Sequence, residues 1–282
     1  MTQPAASTAQ RFTAARRSIS QQLLDFVVDL FLNLGSWRDE DVTRFQDQAL
    51  PTLRAAQQTL GNLTAAYIAE ALSQEAGRRI PPATLSPADV TNLRRGVDEA
   101  EVYRRPFVRL YTGLSRGDRM RDSIEAGSVR LAELAETDLQ MTHATAANRA
   151  LKAAPADVEP VAWRRVLQGP ASCGLCVIAS TQRYLVEQLN PIHPGCDCTV
   201  EPLFAHGAAV LDRDLLERLH DAVFDLTGQA DRGGRAIDYR DLMVSTVQTH
   251  GEVGAVLVRP RDRFSRPQGI DVDERALLLA DQ

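Results

Sequence analysis

All four cysteines of the chain (Cys173, Cys176, Cys196 and Cys198) fall between Ser172 and Pro202, in SCGLCVIASTQRYLVEQLNPIHPGCDCTVEP, together with His193, one of five histidines. As spacing this is C-x2-C, sixteen residues, then H-x2-C-x-C. Five soft or borderline donors are one more than a tetrahedral zinc ion takes. Three thiolates and a neutral imidazole on Zn²⁺ make a closed shell with one net negative charge, which is a structural rather than a catalytic arrangement. C-x2-C is a knuckle that aims both sulfurs at one ion, and His193 with Cys196 offers the second pair at a similar step. Either Cys196 or Cys198 can complete the shell. Cys196 is preferred, because it follows His193 by three positions just as Cys176 follows Cys173.

The same clustering is compatible with one or two disulfides formed outside the cell, and with buried free thiols. A thioredoxin-like redox pair fits poorly, since no strand of a βαβ pattern precedes Cys173. A Cys-His nucleophile lacks a third residue to orient it. Other chemistry is not signalled. The chain has no G-x-S-x-G, H-E-x-x-H, P-loop or G-x-G-x-x-G. His250-Gly251-Glu252 puts an imidazole near a carboxylate, which a surface turn explains as well as acid–base work. His143, His206 and His220 stand alone and read as packing or surface residues. No catalytic or small-molecule cofactor-binding residue is assigned, and the chain reads as a non-enzyme.

The elements around this stretch divide in two. With 282 residues and 44% apolar content, the chain can bury a core of its own. Its net charge is −5, and 31 arginines stand against a single lysine, Lys152, which is a coding bias rather than a mechanism. Bulk charge therefore argues neither for nor against a DNA partner. No apolar run reaches the length of about eighteen residues that a membrane span needs; the nearest, residues 23–34, is interrupted by Asp25, Asp29 and Asn33. The N-terminus lacks the pattern of a signal peptide. The expectation is a chain made in a reducing cytoplasm, where clustered cysteines are metal ligands more often than disulfides, although such a chain can later sit in a particle outside the cell.

Residues 1–10 are small and polar and are expected to fray. Apolar positions at three- and four-residue steps predict a helix over residues 11–34, ending at Gly35. A second helical stretch starts at Trp37 after Ser36 as N-cap and runs to about Gln74, with Pro51 and Gly61 as breaks or kinks. Ser86-Pro87-Ala88-Asp89 starts a helix expected to reach Tyr103 and to break or bend at Pro106. Another long helix is expected over residues 118–152. Nine arginines lie between Arg94 and Arg130 with six acids interleaved; they make either a solvated face with intrahelical ion pairs or a docking surface for an acidic partner or DNA.

Residues 155–160, PADVEP, read as a linker. Beyond it, residues 161–167 suit a helical turn or strand, 177–189 a short helix, 199–204 a strand, 210–226 an amphipathic helix and 255–258 a short strand, with 239–248 ambiguous. The expected fold is a mainly α N-terminal part, a helical bundle over residues 1–154, followed over 155–282 by a small α+β domain carrying the Cys/His site and a C-terminal tail.

Long N-terminal helices, a C-x2-C segment, and then P-x-H-x2-C-x-C running into a strand and a proline (Pro191, His193, Cys196, Cys198, Pro202) resemble the phage Mu protein F-like minor capsid, or head-morphogenesis, proteins of tailed phages. H-x2-C-x-C is the most specific part of the match. The stretch from His250 to Phe264 is similar to the C-terminal segment of versions from phages of actinobacteria. The resemblance touches the chain from about Val97 onward and is strong only over 161–204. It implies a minor virion component at the portal vertex and head interior, present in the host cytoplasm during assembly. The implied partners are the portal protein, other capsid or scaffold proteins and the packaged DNA, with no membrane and no small-molecule substrate. Its role would be to aid head assembly and DNA packaging or ejection, with the Cys/His stretch as a structural zinc staple. The competing reading is a head maturation protease or another cysteine- or histidine-dependent enzyme.

Overall fold

The computed structural model describes residues 8–91, 93, 97–167, 171–173, 179–180, 183–184 and 198–204, and beyond them 217, 220, 221, 224, 243–245 and 256–258. The described chain is mainly helical, with short antiparallel strands toward its C-terminal end. In order it forms α1 (Thr8–Leu32), α2 (Asp39–Ala76), α3 (Pro87–Thr91), α4 (Glu99–Ser115), α5 (Met120–Lys152), a 3₁₀ turn (Ala156–Val158), β1 (Ala162–Val166), β2 (Ala171–Cys173), β3 (Arg183–Tyr184), β4 (Thr199–Leu203), β5 (Met243–Ser245) and β6 (Val256–Val258).

Two compact units divide the described residues. One gathers those within Met1–Thr13, Thr64–Ala83 and Ala147–Ser265, the other those within Ala14–Leu63 and Thr84–Ala146. The units interleave along the chain, and the break expected at 154/155 lies near the boundary at 146/147.

The second unit is helical. Its core gathers Leu23, Val27 and Phe31 of α1, Phe45 and Leu53 of α2, Tyr103, Phe107 and Leu110 of α4, and Leu131 and Leu139 of α5. Phe31, Phe45 and Phe107 meet edge to face, with ring centroids 5.1–6.1 Å apart, the arrangement that aromatic quadrupoles favour. Trp37 closes one end, its indole Nε1 donating to the Phe31 carbonyl at 3.0 Å. The turn that places it has Gly35 at φ 86° and Trp37 itself at φ 49°. The helix therefore starts two residues after Trp37 rather than at it. Asp41 holds the start of α2, its carboxylate accepting from the Arg38 backbone N–H at 3.0 Å and from the Ser36 hydroxyl. Those hydrogen bonds, led by the Ser36 hydroxyl, hold the Asp41 carboxyl below its ordinary range.

Three sequence expectations need correction in this unit. First, of the breaks or kinks expected at Pro51 and Gly61 and the break or bend at Pro106, the breaks do not occur: α2 continues through Pro51 and Gly61, and α4 through Pro106. Buried side chains flank Pro106 on both sides, and their packing outweighs the lost backbone hydrogen bond. Second, Gly61 is a close-approach residue rather than a break: a Cβ there would stand 2.7 Å from Val90 Cγ1. Third, residues 86–103 hold two helices. α3 starts as expected, with the Asp89 carboxylate accepting from the Ser86 N–H at 2.8 Å. Asp98 then caps a fresh helix, accepting from the Ala100 N–H at 3.0 Å. Thr142 donates to the Val90 carbonyl at 3.0 Å and Tyr103 to Asp138 at 2.8 Å, tying α3 and α4 to α5. Gly117, at φ 86°, ends α4.

In the first unit, Phe12 stacks on Tyr67 at 4.5 Å, and Arg11 pairs with Glu70 at 2.9 Å. Arg78 makes a two-pronged contact with Asp157 at 2.7 and 2.9 Å. The strands form one three-stranded antiparallel sheet in the order β3-β1-β4 and another in the order β2-β5-β6. Residues 199–203 and 256–258 are strands, as the sequence predicts, and of the two forms that suit residues 161–167 the structure has the strand, over 162–166. The helix expected over 177–189 is corrected in part: Ala179 and Ser180 are helical, but Arg183 and Tyr184 pair with β1 as a strand. Most of the helix expected over 210–226 and all of residues 1–7 lie outside the described residues.

Candidate functional site

β1 reads Ala-Trp-Arg-Arg-Val, and its period of two sends Trp163 and Arg165 to one face and Arg164 to the other. On the first face Trp163 lies opposite Tyr184 of β3 and stacks on it, with centroids 4.7 Å apart and planes 24° off parallel. The Arg165 guanidinium lies 5.0 Å from the Trp163 ring centre and 5.4 Å from that of Tyr184. Arg165 is only 8% exposed and Trp163 is fully buried. A planar, weakly hydrated guanidinium tolerates such stacking where an ammonium would not.

Arg165 Nη1 donates to Cys198 Sγ at 3.4 Å, and Cys198 is 7% exposed. Cys198 sits immediately before β4, two residues from Val200, which pairs with Arg165 across the sheet. Its sulfur thus falls on the Trp163–Arg165 face because the β1–β4 register puts it there.

On the opposite face Arg164 pairs with Glu201, directly across from it in the register. Tyr67 senses both groups. Burial pushes its phenol up to about 12, with the Glu201 carboxylate adding to the rise and Arg164 opposing it. Tyr67, Glu70, Gln74, Arg11 and Glu201 line an open groove of about 560 Å³ here.

Of the five expected ligands, the side chain of Cys198 alone falls among the described residues. Cys173 ends β2, its backbone paired with Met243. Cys176, His193 and Cys196 lie outside the described residues, as do His206 and His250. Among the described residues, no group of three or more His, Cys, Asp or Glu side chains could hold a metal ion. His143 and His220 are buried, as packing residues would be. Sequence reasoning missed Arg165 and Tyr184 as neighbours of a cysteine. The available signal was the alternation in β1, which puts one of two adjacent arginines beside a tryptophan.

Among the described residues, no helix is long and apolar enough to cross a membrane. No family model, curated protein or solved structure matches the chain.

Proposed function

We propose that this chain is a minor capsid protein of the phage Mu protein F-like type, acting at the portal vertex and head interior in head assembly and in DNA packaging or ejection. The observation that carries the reading is the P-x-H-x2-C-x-C segment, Pro191 to Cys198, delivered directly into a strand that ends in Pro202-Leu203. A long-helix N-terminal part ahead of a small strand-bearing part supports it.

On this reading Cys173, Cys176, His193 and one of Cys196 and Cys198 hold a structural zinc ion. The donor chemistry fits, and so does the neighbourhood of Cys198. A shell of three thiolates and one imidazole carries a net negative charge, and Arg165 is a buried cation within hydrogen-bonding reach of one candidate sulfur. The ion, when bound, supplies cross-linking and no chemistry. Arg165 orients Cys198 and offsets charge, while Trp163 and Tyr184 exclude water from the pair.

Co-expression with the portal protein of the same particle tests the assignment. The two are expected to co-elute from a sizing column as one complex. Separate elution at micromolar concentration, with both chains folded, contradicts it.

A further inference from the structure

The exposed face of α4 carries Glu101, Arg104, Arg105, Val108, Arg109 and, just past its end, Arg116. Among the described residues, none of these four guanidiniums takes part in an ion pair or a side-chain hydrogen bond. The neighbouring acids are committed elsewhere. Asp98 caps α4, Glu99 pairs with Arg54 at 2.7 Å, Asp122 with Arg119 at 2.8 Å, and Glu133 with Arg130 at 3.0 Å; Asp138 accepts from Tyr103. Glu101 on the same face, Asp118 two residues past Arg116, and Asp39, whose field reaches Tyr111 together with that of Arg104, are carboxylates that no ion pair among the described residues joins to the row. In a chain of net charge −5, this is a local concentration of the opposite sign.

We infer that this face of α4 is a binding surface for the phosphate backbone of duplex nucleic acid. At 1.5 Å rise per residue, Arg104 to Arg116 spans about 18 Å of rigid rod. One strand of a duplex presents about five phosphates over that length. The planar fork of arginine matches phosphate oxygens two at a time. A protein partner would need a buried apolar anchor at the centre of its footprint, and the one exposed apolar side chain in this row is Val108. Single strands are held by stacking on exposed aromatics, whereas Tyr103 and Phe107 of α4 are buried in the core. Backbone contact without base readout means little sequence preference. The inference goes beyond the head-protein reading and stands on electrostatics alone.

The test is fluorescence anisotropy of the full chain with a labelled duplex of arbitrary sequence across a salt series. The expected result is binding whose logarithm falls with log salt at a slope of about −3 to −4, that is, −0.9 for each neutralised phosphate. R104Q/R105Q/R109Q/R116Q is expected to weaken binding at least tenfold at low salt and to flatten the slope. R119Q/R130Q, which removes paired arginines, is expected to bind like the parent. An unchanged melting temperature in both variants shows that they fold. Parent-like binding by the quadruple variant overturns the inference, as does a salt-independent parent. So does equal competition by polyglutamate and unlabelled duplex, which would make the partner an acidic protein. None of these failures touches portal association, which the sizing-column experiment reads separately.

Discussion

Tyr67 is 6% exposed, and its phenol is held protonated up to about pH 12 against an ordinary value of 10.0. The folded state therefore keeps a proton that the unfolded chain releases above pH 10, so stability falls as pH rises from 10 toward 12. At about 1.4 kcal/mol per pH unit, the loss reaches about 2–3 kcal/mol. Tyr67→Phe has no proton to lose there, so its urea-derived stability is expected to gain on the parent by that amount between pH 10 and pH 12. Parallel profiles for the two proteins would contradict the burial of the phenol. At this scale the sequence was legible for the capping residues: Ser86 with Asp89 starts α3 as the motif predicts. It was not legible for Arg165. A charged residue in a short strand reads as solvent-facing until the partner rings that cover it are known, and Tyr184 is nineteen positions away on another strand.

Helices α2 and α3 meet where Gly61 faces Val90, and this contact decides what an alanine does there. Gly→Ala inside a helix ordinarily gains about 1 kcal/mol in backbone propensity. At Gly61 the added methyl lands 2.7 Å from Cγ1 of a fully buried valine, and overpacking of this kind costs about 1–3 kcal/mol. Gly61→Ala is thus expected to be destabilising by about 1 kcal/mol. In a Val90→Ala background the same change becomes neutral or stabilising, and a double-mutant cycle by chemical denaturation reads the coupling. Additivity of the two changes would contradict the close approach. The helices themselves were readable: α1 from apolar residues at three- and four-residue steps, α2 from a text rich in alanine, leucine and glutamine, and α5 from its leucines and alanines. Their interruptions were not. Pro51, Gly61 and Pro106 carry breaker chemistry, but tertiary packing around them decides the outcome, and a linear pattern contains no facing helix. The split between α3 and α4 was missed for the converse reason: the apolar period continues across it, and only the Asp98 cap marks the restart.

For the whole molecule, the Cys/His stretch stands out in the sequence by composition and spacing, while the sheet neighbours of Cys198 do not, because they depend on the β1–β4 register. Segments 8–13 and 64–83 pack on each other through Phe12 and Tyr67 and reach the strand-bearing residues through contacts such as Arg78 with Asp157, which no chain-local signal announces. If the five donors hold zinc, recombinant protein carries one equivalent by elemental analysis, and a strong chelator lowers its melting temperature by several degrees, since binding energy to a folded site is folding energy. Substoichiometric metal with an unchanged melting temperature would rule the staple out and leave disulfides or thiols as the state of the cysteines. The central proposal, that the chain is a minor component of a phage head, is tested most directly by inducing or infecting the cells that carry its gene, purifying any DNA-filled particles, and analysing them by quantitative mass spectrometry. The account predicts the chain in those particles at a small fraction of the major capsid copy number; its absence from infectious particles would contradict the account.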